Sequence, residues 1–473
     1  MVGTDPVIAT QMMQGFPATS VRVAKASPFL LPRIGLTISR TFSPGHDFPK
    51  GPTAMTDPLA FLRSLFDAAV AVADPMRSLA AHLPPRPAGR CVIVGAGKAS
   101  ARMAEAVEAE WGRCEGLVIT RYGYARPCAG IEIVEAAHPV PDEAGRAATE
   151  RMLRLLDGLG EGDTVLALIS GGASSLLVQP AGAMTLDDKR AVNAGLLASG
   201  APIGHMNLIR KHLSSVKGGQ LAAAAHPARM LALMISDVPG DDPAMIGSGP
   251  TVGEPGTAAQ ARALVARYGI ELPASALSVL DGQSGVVPPG DPRLSRVENV
   301  VFAAPSQSLD AAADLAQREG IRVKTLGDDL EGEARDVART HAALARDAQA
   351  ALAPGAAPVL LLSGGELTVT RRGDGVGGPN AEYALALAVA LKGAAGIHAI
   401  ACDTDGVDGA AEVAGATIGP ETLARAQAAG VDAEAALARN DAHGFFAALG
   451  DQVITGPTLT NVNDFRAILI APA

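Results

Sequence analysis

Apolar positions along the chain alternate between two patterns, helical spacing and short unbroken runs that stop at glycine. From Asp57, PLAFLRSLFDAAVAVA carries helical spacing and leads into CVIVGAGKAS, where a continuous apolar run ends at glycines and a new helical period begins. This predicts a strand, a tight turn and a helix. GLVITR, IEIVEAAHPV with a helix from Asp142, TVLALISGG and MLALMISDVPGDD extend the rhythm. Their lack of apolar-polar alternation predicts strands buried on both faces, and alternating strands and helices imply a parallel sheet.

At 282–296 (GQSGVVPPGDPRLSR) the composition turns to Gly, Pro and Ser, and the rhythm then resumes with ENVVFAA, SLDAAADLAQREG and IRVKTL. A domain boundary is placed there. The second part holds VLLLSGGELTV, the Gly-rich RRGDGVGGPNAE, HAIACDTDGVDG, several Ala-rich helices and a closing FRAILIA strand. A chain of 473 residues exceeds one ordinary core, so the expectation is an α/β protein of two domains, 55–290 and 297–473, with a cleft between them. Residues 1–54 lack a sustained period and read as a disordered extension or an early start, with Met55 as the alternative beginning. Arg22, Lys25, Arg33 and Arg40 would suit a targeting segment, but no amphipathic face accompanies them.

Composition narrows the function. Nearly half of the residues are apolar (48%) and few are aromatic (3%), which suits helices packed on parallel strands. The net charge of −10 repels phosphodiester backbones and no basic run is interleaved with aromatics, so the expected partner is a small molecule and not nucleic acid. Every apolar run is cut too early for a membrane span. Cys91, Cys114, Cys128 and Cys402 are far apart with no C-x-x-C pair, which fits a reducing, cytoplasmic setting.

Two strand-like runs end in the same tripeptide, Ser170-Gly171-Gly172 and Ser363-Gly364-Gly365. Glycine lets backbone N–H groups turn towards an anion, although an ordinary strand-to-helix turn reads alike. Ser174 and Ser175 add hydroxyls or cap a helix. The turn Gly95-Ala96-Gly97-Lys98-Ala99-Ser100 matches neither a Walker loop nor a dinucleotide fingerprint, whose third Gly is replaced by Ser100. Arg121 ends the next strand where NAD enzymes place an acid, which leaves NADPH open. Lys98 is a cation at the mouth of a glycine turn, suited to a phosphate or carboxylate, or merely a solvated surface lysine. In NLIRKHLSSVKGGQLAAA, helical spacing aligns Asn207, Arg210, Ser214 and Lys217, a basic face fit for a polyphosphate or an ordinary charged helix surface. Asp237, Asp241 and Asp242, then Asp403, Asp405 and Asp408, and Glu366 after the second SGG, can hold Mg²⁺, accept a proton or simply form turns. No H-E-x-x-H or G-x-S-x-G motif supports a zinc or serine hydrolase.

In order, GAGKAS, SGGASSLL, RKHLSSVKGGQLA, SDVPGDDPAMIGSGPT, SGGELTV, GGPNAE, DTDGVDG and GPTLTNVNDF make the chain resemble the class II glycerate 2-kinases from about residue 58 to its end. The resemblance implies a larger Rossmann-like domain, a smaller MOFRL-like domain, and ATP- and Mg²⁺-dependent phosphorylation of D-glycerate to 2-phosphoglycerate in the cleft. By motif it assigns Lys98, Arg210 and Asp237 as catalytic. Gly95, Gly97, Ser170, Gly171, Gly172, Ser174, Lys217, Ser363, Gly364, Glu366, Asn380 and Asp405 are assigned to substrate or nucleotide, and Asp237 and Asp405 to the metal. A homodimer is compatible with this reading. Two positions depart from the pattern: Pro379 where Arg is usual, with Asn380 and Glu382 retained, and Leu459 where Gly is common, expected to alter only a turn. Family members with the Pro-Asn form often carry the name hydroxypyruvate reductase, so the alternative is an NAD(P)H-dependent reductase of tartrate degradation. A third reading is a sugar- or nucleotide-binding module, but converging cations and carboxylates exceed what binding requires.

Overall fold

The structure is a computed structural model that describes residues 57–472. The expectations for residues 1–54 therefore lie outside the described residues. Helix α1 (Pro58–Val72) starts where Asp57 accepts the N–H groups of Leu59 and Ala60 at 3.1 and 3.0 Å, with Pro58 in the first turn. A proline costs no hydrogen bond there because that N–H has no helical partner.

The first sheet is six-stranded and parallel: β1 (Cys91–Ala96), β2 (Glu115–Arg121), β3 (Ile131–Ala136), β4 (Thr164–Ile169), β5 (Arg229–Ile235) and β6 (Val297–Ala303), in the spatial order β3-β2-β1-β4-β5-β6. The apolar runs are buried on both faces. Val92, Val94, Val165 and Met230 pack one core, while Ile93, Leu166 and Leu233 pack the other together with Met103 and Val107 of α2 (Ser100–Trp111). After β3 the chain returns to the far side of β1, so strand order reverses between β1 and β4. Ligand crevices in open α/β sheets form at such a reversal, beyond the carboxyl ends of the strands.

The strand ENVVFAA follows the Gly- and Pro-rich segment in sequence but joins this first sheet as β6, paired with β5 from Met230–Val297 to Ile235–Ala303. Helices α3 (Leu186–Ala198) and α4 (Ile203–His212) lie over a satellite core of Val192, Leu196, Ile209 and Val265. The predicted continuous helix through NLIRKHLSSVKGGQLAAA breaks after His212. Gly218 and Gly219 adopt left-handed backbone (φ 57° and 79°) before a second helix, Gln220–Ala225, so Ser214 and Lys217 lie in the connection. Left-handed glycines turn the chain into the second helix at little steric cost.

The second sheet is mixed: β7 (Arg322–Thr325), β8 (Val359–Ser363), β9 (Ile397–Asp403), β10 (Gly415–Ile418), β11 (Gln452–Val453) and β12 (Asp464–Ile470). Their order is β11-β10-β9-β12-β8-β7, with β12 antiparallel to both neighbours and β7 parallel to β8. The closing FRAILI run is thus a central, fully buried strand. Helix α5 (Pro379–Leu391), apolar on nearly all sides, is buried against one face. The other face is covered by α1, from the opposite end of the chain. Its stripe of Leu62, Leu65, Phe66 and Ala69 packs on Leu360, Leu362 and Ala467, with the Phe66 and Phe465 rings 5.9 Å apart.

Because α1 supplies one face of this core, Phe66→Ala should destabilise the protein by about 3–5 kcal/mol, the usual cost of emptying a buried aromatic site. Urea unfolding followed by circular dichroism measures this. A loss below about 1 kcal/mol, within the range of surface substitutions, would show that α1 is not part of the core.

Candidate active site

The two halves meet at the strand ends. Lys98 follows β1, and its Nζ donates to Asp405 Oδ2 at 2.5 Å in the turn after β9. The lysine side chain is 15% exposed and the aspartate 1%. Burial alone would lower the Lys98 pKa, but Asp405, then Asp403 and Asp237, outweigh it and hold the ammonium charged. The three acids of CDTDGVDG divide their work. Asp403 Oδ1 accepts the Asp405 N–H at 2.9 Å, and Asp405 engages Lys98 while its Oδ1 accepts the Val407 N–H at 2.8 Å. Asp408 accepts the N–H groups of Asn380 and Ala381 at 3.0 and 2.8 Å, capping α5.

The first SGG loop lies directly against this pair. Lys98 N donates to Gly171 O at 2.8 Å. Ser170 Oγ accepts the Ala99 N–H at 3.0 Å and sits 3.1 Å from Ser100 Oγ. A Cβ on Gly97 would overlap Ser170, so both ends of the glycine turn are filled by the protein itself. Asp237, after β5, occupies the space a Cβ on Gly171 would need, as does Asn461. The second half holds Asp237 from above: Asn461 Nδ2 donates to its Oδ2 and Asn463 Nδ2 to its backbone O, each at 3.3 Å. Asp237 is half-buried, and burial raises its pKa against the lowering pull of Lys98. Glu366 follows the second SGG, where burial and then the Asp464 and Asp237 carboxylates raise its pKa.

The structure thus brings together Lys98, Gly97, Ser170, Gly171, Gly172, Asp237, Glu366 and Asp405. Gly95 lies inside β1, paired with Leu168 and Val118. Asn380 is buried one layer down, where its Nδ2 donates to Asp464 Oδ1 at 2.7 Å. The second SGG is not a copy of the first. Arg466, 1% exposed, lies 3.4 Å from Ser363 Oγ, donates to the Gly364 carbonyl and to that of Gly365 at 3.1 Å, and pairs with Asp464 at 2.9 Å. The Gly364 N–H donates to Gly327 O at 2.8 Å, so this donor is already taken within the protein. Glu382 is likewise structural, bound by Arg335 and by Asn440 Nδ2 at 3.1 Å.

Arg210 and Lys217 stand apart from the Lys98 pair. Arg210 donates to Asn207 Oδ1 at 3.3 Å, and Lys217 Nζ to Ser174 O and Oγ at 2.7 and 3.1 Å. They flank the SGG loop on its Ser174 side, whereas Asp237 lies on its Gly171 side. Pro379 is the first residue of α5, where its missing N–H leaves nothing unpaired. Leu459 has left-handed backbone (φ 62°), so this position strains any side chain and suits the glycine common there.

Sequence reasoning missed four contributors. Asn461 and Asn463 stand in the GPTLTNVND motif without having been assigned. Arg466 is hidden in an apolar run. His138, after β3, packs against Gly172 and Lys98. Burial, then Lys98 and Arg121, push its pKa down to about 4, so its imidazole is neutral at neutral pH. Among the described residues no cluster of three or more His, Cys, Asp or Glu side chains is gathered for a metal, and no helix is long and apolar enough to cross a membrane.

Known proteins resemble this chain over most of its length. A family model described as a domain of unknown function, DUF4147, matches residues 61–281, and that of the MOFRL family matches 359–464. A protein of Agrobacterium vitis named "Putative hydroxypyruvate reductase" is 56% identical over 86% of this chain and 94% of its own length. The D-glycerate 2-kinase of Thermotoga maritima is 37% identical over 84% of this chain and 94% of its own. The crystal structure of a Thermotoga maritima glycerate kinase superposes with a TM-score of 0.79 at 36% identity, over 87% of this chain and 99% of that one.

Gly171→Ala should cost about 1–3 kcal/mol, the range for overpacking a filled site. Adding Asp237→Ala should recover part of that loss, because the two share one space. A double-mutant cycle on denaturation midpoints tests this; simple additivity would separate Gly171 from Asp237.

Proposed function

Because the chain belongs to the glycerate 2-kinase family, the DUF4147–MOFRL proteins, we propose that it transfers the terminal phosphoryl group of ATP to the 2-hydroxyl of D-glycerate. The products are 2-phosphoglycerate and ADP. The observation that carries this reading is the meeting of Lys98 with Asp237 and Asp405 at the reversal of strand order, a charged pair beside an acid with a raised pKa. Phosphoryl transfer needs positioning and charge stabilisation more than covalent chemistry, and such a site offers both.

In this reading Asp237 accepts the proton of the 2-hydroxyl as its oxygen attacks, since burial has made it a stronger base than a solvated carboxylate. Asn461 and Asn463 fix the aspartate, and Gly171 leaves it room. Lys98 neutralises charge on the substrate carboxylate or the moving phosphoryl group once it exchanges Asp405 for the ligand. Arg210 and Lys217 are the cations on the nucleotide side. Asp237 and Asp405 fit Mg²⁺, which is commonly held by one or two carboxylates together with substrate phosphates and water. When bound, the ion neutralises the phosphate oxygens. The four cysteines are free thiols, consistent with a cytoplasmic enzyme.

The reductase reading has the Agrobacterium vitis relative's name and Pro379 in its favour. Against it stands the GAGKAS turn. A dinucleotide pyrophosphate needs open backbone at the first strand-to-helix turn, and here Ser170 fills the turn and takes the Ala99 N–H. Arg121, the candidate for an NADPH phosphate, is stacked 4.6 Å from the Tyr124 ring and lies 3.4 Å from Glu412 Oε1.

Purified protein should release ADP from ATP, Mg²⁺ and D-glycerate and should not oxidise NADPH with hydroxypyruvate. The reverse outcome would falsify the kinase assignment. Lys98→Met should lower kcat by about 10²–10³, as loss of a charge-stabilising donor does. Asp237→Asn should lower kcat by about 10²–10⁴ with little change in the KM for glycerate, the signature of a lost base. A change confined to KM would place Asp237 in substrate binding alone.

A further inference from the structure

Three functional side chains converge on the two glycines of the first SGG loop. A Cβ on Gly171 would run into Asp237. A Cβ on Gly172 would stand 3.0 Å from both Cδ2 and Nε2 of His138 and 3.3 Å from Cγ of Lys98. The two glycines are neighbours in the chain, with Cα atoms about 3.8 Å apart. Asp237, His138 and Lys98 therefore stand against one short stretch of backbone, although they come from three distant segments.

His138 lies two residues beyond β3, the edge strand of its sheet, whereas Gly172 follows β4. Three strand spacings of about 4.8 Å separate those strands, so the loop crosses the ends of β2 and β1 to bring the imidazole there. The loop is anchored just behind the histidine. Arg190 donates to Pro141 O at 3.0 and 2.9 Å, and the Tyr122 hydroxyl donates to Asp142 Oδ2 at 2.8 Å. The His138 ring itself is half-buried and has no hydrogen-bond partner among the described residues. By contrast His205, His212 and His341 are bonded, to the Tyr268 hydroxyl at 2.8 Å, Ser284 Oγ at 2.7 Å and the Tyr383 hydroxyl at 2.8 Å. An imidazole carried this far and left unbonded by the protein is free to bond a ligand. Burial, then Lys98 and Arg121, keep it uncharged. A neutral imidazole offers one N–H donor and one acceptor nitrogen, which suits a hydroxyl, while a carboxylate is better met by a lysine ammonium.

We propose that His138 is a substrate-recognition residue whose ring nitrogen bonds the 3-hydroxyl of glycerate, with Lys98 on the carboxylate and Asp237 on the 2-hydroxyl. The inference rests on the kinase reading for the identity of the substrate. Three different groups against three different substituents also fix which hydroxyl reaches Asp237.

The test compares D-glycerate with D-lactate, which has the same carboxylate and 2-hydroxyl but no 3-hydroxyl. Binding of each acid to the full chain is measured by calorimetric titration, with and without ADP. The unaltered protein should prefer D-glycerate by about tenfold, the worth of one hydrogen bond to a neutral group. His138→Ala should weaken D-glycerate by about tenfold and leave D-lactate within about twofold, so that the preference collapses. His138→Gln, which keeps a donor and an acceptor, should restore most of it. If circular dichroism shows that the alanine variant does not fold, His138→Phe gives the same comparison, because it keeps a ring and loses both nitrogens. An equal loss for both acids would mark a merely structural histidine and overturn the inference. Unchanged D-glycerate affinity in the variant, or no preference in the unaltered protein, would overturn it too. Release of ADP from ATP is read separately. If His138 governs the preference but no ADP forms with D-glycerate, the recognition role stands and the kinase reading fails. If ADP forms and His138→Ala keeps the preference, the kinase reading stands and the role of His138 fails.

Discussion

The ion pair between Lys98 and Asp405 is the constraint on which the site depends. It joins the turn after the first strand of one sheet to the turn after a central strand of the other, in surroundings that exclude most water. Removing water from two charges is costly, and only close geometry with further hydrogen bonds offsets it. Asp405 has those bonds within its own loop, and Lys98 has additional carboxylates nearby. Asn461 and Asn463 tie Asp237 to the same second half, so the halves are registered by polar groups at the reaction site. The apolar cover that α1 gives the second sheet is a separate bond between the ends of the chain.

The charges around the gap are sorted. Carboxylates gather on the side of the second sheet, where Asp403, Asp405 and Asp464 crowd one another and burial raises Asp403 and Asp464. Arg210 and Lys217 flank the SGG loop on its Ser174 side. A reaction that brings a polyphosphate towards an acid acting as base uses both signs without placing them in contact. The neutral His138 packs on the left-handed Gly172 of the SGG loop.

Much of the fold is legible because its strands are unbroken apolar runs and its turns carry glycine. CVIVGA, TVLALI and MLALMI are short, lack apolar-polar alternation and stop at polar or glycine turns, which suits strands covered on both faces. Lys98, the first SGG and Asp237 follow three of those strands directly, and their convergence comes from the sheet order. The second SGG shows the limit of the motif. Its sequence matches the first, but Arg466, distant in the chain, captures its carbonyls. The broken helix after His212 has the same lesson at short range: Lys217 lies in the connection between two helices and not on the helical face that its spacing from Arg210 predicts.

Local residue order by itself determined the α/β class, the positions of the glycine turns and the polar groups that follow the strands. Those properties depend on backbone freedom and burial within a few residues of the chain. Tertiary structure alone decided that Val297–Ala303 completes the first sheet, that α1 serves the second, and that Lys98 faces Asp405 while His138 packs on Gly172. Each of these is a contact between segments far apart in sequence. Whether a buried charge is balanced depends on what packing brings beside it.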